Sequence, residues 1–312
     1  MLVKNEIILA KLEGVGSYNT DSVPAGADAI LVENLSWGFD SPRMIDRPSI
    51  RGSLGSLQAI FGGTLKMVSF DVEIKGSGTA GTAPELGPLL VGAGFAETIV
   101  ASTSVTYKHA SDSATHDSLS IYYHQDGLRH KITGCRCFSM SFTAGVESYG
   151  KLTMSFVGHD AGTSDTANPT PVYSAQVPPK FLNVGLTVGS YAAVISALAF
   201  DMGFTAARQP DVNATDGFGE VLISGRAVTG SIDPSAVTIA TNDFLGDFLA
   251  GNLMDIGTGL IGSAGNQWQL ILADSYYDNI SIADREGVRT FDTPFRCTDE
   301  LTTDDEVTLA FT

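Results

Sequence analysis

Residues that could carry chemistry fall in a few places. Gly76-Ser77-Gly78-Thr79-Ala80-Gly81 spells G-x-G-x-x-G after an alternating segment, with Glu97 further on. In a dinucleotide site such glycines bring backbone N–H groups against a pyrophosphate at a helix N-terminus. Here the preceding Val68–Lys75 alternates with charges, whereas a central parallel strand is a continuous apolar run. Pro84 delays the helix beyond the third glycine, and no β-α-β alternation follows. The motif therefore reads as a flexible strand-to-helix loop. Cys135 and Cys137 are two apart and face the same way on a strand, a poor geometry for a disulfide. With Cys297 they make an odd set, which points to a reducing compartment during folding. His124 and His130 lie near them, but no C-x2-C spacing supports zinc. Asp211-x-Asn213-x-x-Asp216-Gly217 only faintly suggests a calcium loop, because Leu222 stands where the bidentate acid belongs. His116-Asp117 and His159-Asp160 are adjacent pairs, and adjacency builds no triad; no G-x-S-x-G occurs. No active site, cofactor or metal is expected, and the chain does not read as an enzyme.

The elements that hold these residues are mostly strands. Val68, Phe70, Val72 and Ile74 alternate with polar neighbours, as do Leu119–Tyr123, Phe138–Thr143 and Leu152–Phe156. Asp126-Gly127 marks a tight turn. Helical periodicity is confined to two segments. Pro84–Phe95 carries Leu86, Leu89, Leu90 and Ala93 as a stripe, with Pro84 in the first turn and Gly94 as the stop. Thr241–Met254 has Phe244, Leu245, Phe248 and Leu249 as one face, Thr241 or Asn242 as cap, and Gly251 as the close. Gly158–Pro179 is polar and Pro-rich and reads as a linker. No stretch approaches a membrane helix, and Ile7–Ala10 is too short for a secretory signal.

The two sides of that linker match in order. Leu35, Trp37 and Phe39 answer to Leu198, Phe200 and Met202. Ser69-Phe70-Asp71 answers to Ser231-Ile232-Asp233, each six residues after a glycine (Gly63, Gly225). Leu89-Leu90 answers to Phe248-Leu249, and Leu152-x-Met154-x-Phe156 to Val307-x-Leu309-x-Phe311. We read a tandem duplication of one β-rich domain: residues 1–160, a linker over 161–180, and residues 181–312. The 312 residues carry 18 Lys and Arg against 35 Asp and Glu, a net −17. This argues against a protein that grips phosphates. The second half holds most of the charge, −12 over 171–312 against −5 over 1–170, while all five His fall in the first.

Each half has one long polar loop, Ser41–Gly62 and Thr205–Ser224. The first carries Arg43, Arg47 and Arg51, then Leu54, Leu57, Ile60 and Phe61. Such a mixture suits an arm that reaches a neighbour, apolar residues giving burial and arginines direction.

Taken together, the aromatic strand Leu35-Ser36-Trp37-Gly38-Phe39, the Arg-bearing loop, the strand Val68–Lys75, the Gly/Thr/Ala loop, the Pro84-Glu85-Leu86 helix start and the strand-rich Tyr107–Gly158 resemble the tail tube (major tail) proteins of long, non-contractile-tailed bacteriophages, here in duplicated form. The resemblance implies a mainly β fold: two tandem β-sandwich or barrel domains, each with a flanking helix and a long inter-strand loop. It implies rings whose inner strands join into a barrel, with three chains supplying six similar domains. On that reading Asn34–Asp40, Leu65–Lys75, Ile195–Met202 and Ala227–Asp233 line the barrel, and Asp71, Glu73, Asp201 and Asp233 are its acids. Arg43, Arg47, Arg51, Leu54, Leu57, Ile60, Phe61, Arg208 and Phe218 would form the ring-stacking interface. The implied partners are further copies of the chain, the tail terminator, tape measure and distal tail proteins, and genomic DNA passing without specific binding. The implied location is the virion, after synthesis in the host cytoplasm. A two-domain adhesin or carbohydrate-binding module is the alternative. It needs clustered exposed aromatics, whereas Trp37 and Trp268 sit on alternating strands and are expected in the core.

Overall fold

A computed structural model describes residues 5–299 and 304–312. Period-two segments become strands, and the fold is mainly β with two short α-helices among the described residues. The strands that carry the candidate surfaces are β1 (Val32–Asp40), β2 (Leu65–Glu73), β3 (Leu128–Gly145), β4 (Lys151–Asp165) and β5 (Ala197–Asp201) in order. They are followed by β6 (Thr205–Pro210), β7 (Phe218–Gly225), β8 (Thr229–Ile232), β9 (Ser281–Arg285) and β10 (Val288–Cys297).

Eight of these make one antiparallel sheet in the order β1-β2-β4-β3-β5-β8-β10-β9. Its halves repeat each other. β5 lies on β8 as β1 lies on β2, β10 lies on β8 as β4 on β2, and β9 lies on β10 as β3 on β4. The counterpart of Leu152-x-Met154-x-Phe156 is therefore in Val288–Cys297 and not in Val307-x-Leu309-x-Phe311, whose strand Thr308–Phe311 pairs in the second layer. The seam between them is β3–β5, with Phe142 opposite Phe200 and Ala144 opposite Leu198. A second layer also crosses between the halves: Ser104–His109 pairs with Thr308–Phe311, which pairs with Asn266–Tyr277. One apolar core lies between the layers and draws on both halves. At the seam Phe142 stacks on Phe200 at 5.1 Å and meets Trp268 edge-on at 6.1 Å. Burial of such rings is the largest single contribution a small set of residues can make to this core.

The G-x-G-x-x-G loop belongs to the same cross-connection. The Gly76 N–H donates to Asn266 Oδ1 at 2.7 Å, and the Gly78 N–H donates to the Gly265 carbonyl at 2.9 Å. A Cβ on Gly76 would lie 2.7 Å from the Gly265 oxygen, so the glycine is required by backbone contact with the second half. Gly76→Val should lower stability by about 1–3 kcal/mol through overpacking, read as a lower thermal midpoint. An unchanged midpoint would show that the two turns can move apart freely.

Several expectations need correction. Gly158–Asp165 is strand, not linker: β4 continues to Asp165, opposite Leu128. Cross-strand polar pairs hold this polar stretch, with His130 Nδ1 3.0 Å from Thr163 Oγ1 and Arg129 donating to Ser164 Oγ at 3.1 Å. Helix α1 is shorter than its stripe, Gly87–Gly92, with Pro88 rather than Pro84 in its first turn, although Leu86, Leu89, Leu90 and Ala93 are buried. Helix α2 (Phe244–Ala250) is capped by Asp243, whose side chain accepts from the Gly246 N–H at 2.8 Å. Its apolar set is divided. Phe244 is buried and Phe248 meets the core, but Leu245 and Leu249 are exposed. Trp268 is fully buried, whereas Trp37 is 37% exposed and lies tilted against the His130 ring, 4.4 Å between centroids. Trp37 points to the core side of β1, opposite Val68, but β1 is the last strand of the sheet and lacks a neighbour to cover it. Finally, Thr205–Ser224 is no open loop. It is the β6–β7 hairpin, and Phe218 and Val221 pack with Leu65 and Val157. The apolar run Val221-Leu222-Ile223 carried that signal beneath the polar turn residues.

Candidate assembly surfaces

The face of the eight-stranded sheet turned away from the core mixes short hydroxyl side chains with charged ones. Cross-strand register places them in rows. One row runs Glu33, Asp71, Thr153, Ser141, Asp201, Thr229 and Arg296. Another runs Glu73, Lys151, Thr143, Ala199, Ser231 and Pro294. In the next row, on the other side of the first, Ser69 and Ser155 meet at 2.8 Å. Three of the four acids picked from sequence, Asp71, Glu73 and Asp201, thus share one face. Asp71 accepts from Asn34 Nδ2 at 2.7 Å and from Thr153 Oγ1 at 2.6 Å. Asp233 lies just beyond β8 and is tied to Arg285 at 2.9 Å. Glu33 was not singled out from sequence. Hydrogen bonds from Lys151 at 2.6 Å and from Tyr149 hold its carboxyl below the usual range. The face is weakly acidic, hydroxyl-rich and without a basic cluster, so it offers a phosphate chain no grip.

The arms differ from one another. Met44–Ile45 and Ile60–Phe61 pair to close the Ser41–Gly62 excursion at its base. Arg43 is engaged within the chain: its Nη1 donates to the Gly217 carbonyl at 2.7 Å and its guanidinium lies 3.7 Å from the Phe218 ring centroid. Arg51 folds back onto the Gly55 and Ser56 carbonyls. Arg208 pairs with Asp40, and Phe218 is buried. Arg47 is exposed and Leu57 half-buried, while Leu54 is 108% and Phe61 61% exposed, with Ile60 beside them. Met44, Ile45 and Ile50 extend this apolar surface. Sequence reasoning passed over them because they precede the Leu54–Phe61 run. So the first arm presents a large uncovered apolar patch, and the second hairpin is folded onto its own chain.

Groups that could have done chemistry are otherwise engaged. The three cysteines are free and buried, and burial pushes the Cys137 thiol up to about 12 and that of Cys297 to about 11. His159 lies 2.6 Å from Asp216 and 3.1 Å from Tyr18 Oη, linking the β6–β7 turn to the first half. Among the described residues no His, Cys, Asp and Glu cluster has metal-binding geometry, and no helix is long and apolar enough to cross a membrane.

A β-rich chain with an extended sheet, open sheet ends and an uncovered apolar arm is built for assembly. Residues 18–311 match the phage tail tube protein family, nearly the whole chain, and the protein belongs to that family. It is therefore a structural protein of the phage tail, a component of the virion whose family assembles into a tube. No curated protein sequence matches the chain.

Proposed function

We propose that the chain forms homotrimeric, pseudo-hexameric rings, and that these stack into the tube conducting phage DNA to the host. The two halves act as tandem copies of one tail-tube domain, 1–160 and 181–312 by sequence, so three chains meet six equivalent positions. The observation that carries this reading is the eight-stranded sheet itself. It already joins the two halves edge to edge, and its backbone pairing runs on across the seam, with Ser141 opposite Asp201 and Thr143 opposite Ala199. Turned inward around a ring, that face gives a lumen with Asp71, Glu73 and Asp201 repelling the phosphate backbone. DNA slides along it because nothing there binds it. The exposed part of the first arm, from Arg47 to Phe61, meets the next ring. Tail terminator, tape measure and distal tail proteins are the partners at the tube's ends and in its lumen. Electron microscopy of the purified chain is the test. Stacked rings with a central channel and threefold averages carrying pseudo-sixfold features are expected; monodisperse monomers at every concentration would overturn the reading.

A further inference from the structure

The seam inside the chain is a template for the contact between chains. We propose that β9 of one copy pairs antiparallel with β1 of the next in a fixed register, Ile282 opposite Trp37 and Ala283 opposite Ser36. This names the partner surface of the tube reading above and rests on it.

The register follows from the internal repeat. β3 lies on β4 with Phe142 opposite Leu152, and Leu152 lies two residues before Met154, which faces Phe70. In the second half Ile282 faces Phe291, two residues before Thr293, which faces Ile232. Phe70 and Ile232 are the equivalent residues of the Ser-x-Asp pattern, so Ile282 stands where Phe142 stands. By the same step Leu198, opposite Ile232, matches Leu35, and Phe200 matches Trp37. Within the chain Phe142 faces Phe200. Between chains the same geometry sets Ile282 against Trp37.

Three further observations agree. Among the described residues β1 pairs only with β2 and β9 only with β10, so both edges carry unpaired backbone groups. An even number of alternating strands brings β9 and β1 together antiparallel, as at the seam. The two side chains also behave as an unfinished pair. Phe142 and Phe200 are buried at 1% and 4%, while Ile282 is 71% and Trp37 37% exposed, although both point to the core side. Asp284, which takes the place of Ala144, is already bonded to the Gly287 N–H within its own turn at 3.1 Å. On the opposite face Ala283, small like Ala199 at the internal seam, falls beside Ser36, which faces Ser69.

Cysteine cross-linking reads the register directly, since the native cysteines are buried. Two double variants, Ile282→Cys with Trp37→Cys and Ala283→Cys with Ser36→Cys, cover both kinds of antiparallel pair. Mild oxidation should give covalent multimers. A shifted control, Ala283→Cys with Gly38→Cys, displaces the pair by about 7 Å, beyond disulfide reach, and should yield about tenfold less product. Equal yield from the control, or dimers from Ser36→Cys alone, would overturn the register. Tubes that form without either cross-link would overturn it while leaving the tube reading intact. Cross-linked multimers that never stack would support the register and remove the tube reading, and monomers with no cross-link would remove both. Ile282→Lys, at an exposed position, should keep the fold by circular dichroism and lose the multimer; multimers as abundant as those of the unchanged chain would count against the pairing.

Discussion

A chain carrying Arg47→Ala, Leu54→Asp and Phe61→Asp should fold normally and fail to elongate. All three side chains are exposed, so the monomer loses little by the change. Assembly loses more. Burying a Leu or Phe side chain is worth about 1.5–3 kcal/mol, and removing two from each contact weakens it by about 3–6 kcal/mol. That is on the order of 10²–10⁴-fold in the association constant. A carboxylate placed in the same contact adds a desolvation penalty. Circular dichroism and thermal melting should match the unchanged chain, while sedimentation and micrographs show rings without long tubes. Tubes of ordinary length would remove the first arm from the stacking contact. Loss of fold together with loss of assembly would show that the arm supports its own chain instead. The contrast with the second hairpin sharpens the expectation: Arg43, Arg208 and Phe218 have contacts inside the chain, and changing them should lower monomer stability.

Acid should destabilise the folded chain well before ordinary carboxylates titrate. Burial, followed by the nearby Arg226 guanidinium, pushes His109 down to about 3, with His116 and Asp304 also facing it. His124 and His130 are lowered as well, by burial first and then by Arg129 and Lys66 respectively. In the unfolded chain these groups titrate near their ordinary value of 6.5. As pH falls below it, the unfolded state binds protons that the folded state refuses. Stability is therefore full above about pH 6.5 and, through His109, declines towards about pH 3 by up to about 1.4 kcal/mol per pH unit, with His124 and His130 acting in the same direction. Glu33, held low by Lys151, adds its loss only below its ordinary 4.5, so the upper part of the window belongs to the histidines. Denaturant midpoints between pH 7 and 5, taken on the non-elongating variant, should fall with pH. His109→Phe should flatten that dependence, since the ring lies among Phe95 at 3.8 Å and Phe204 at 5.5 Å and its Nε2 has no hydrogen-bond partner. An unchanged slope in the variant would exclude His109 as a source of acid sensitivity.

Much of the fold was legible residue by residue. The alternation of Val68 to Ile74 and of Leu152 to Phe156 specified strands and their buried faces, because side-chain direction in a strand has period two and one face must leave water. Local sequence also marked the Gly251 helix stop, which adopts φ +64°. The order of Ser69-Phe70-Asp71 and Ser231-Ile232-Asp233 also prompted the expectation of a repeat.

What sequence left open was everything that depends on which strand lies beside which. Trp37 and Phe142 look alike in an alternating pattern, yet one is covered and the other is not, because β3 has a neighbour in β5 and β1 lies at the end of the sheet. The arms looked equivalent until the β6–β7 hairpin was found folded over Leu65 and Val157. Glycines that mimic a nucleotide motif proved to be the contact of two backbones distant in sequence. Composition and periodicity determined by themselves that this is a β-rich, acidic chain, and the matching order of its two sides set the expectation of a duplication. Only the tertiary structure decided which edges stay open and which apolar residues stay bare, since backbone pairing and burial are made between segments far apart in the chain.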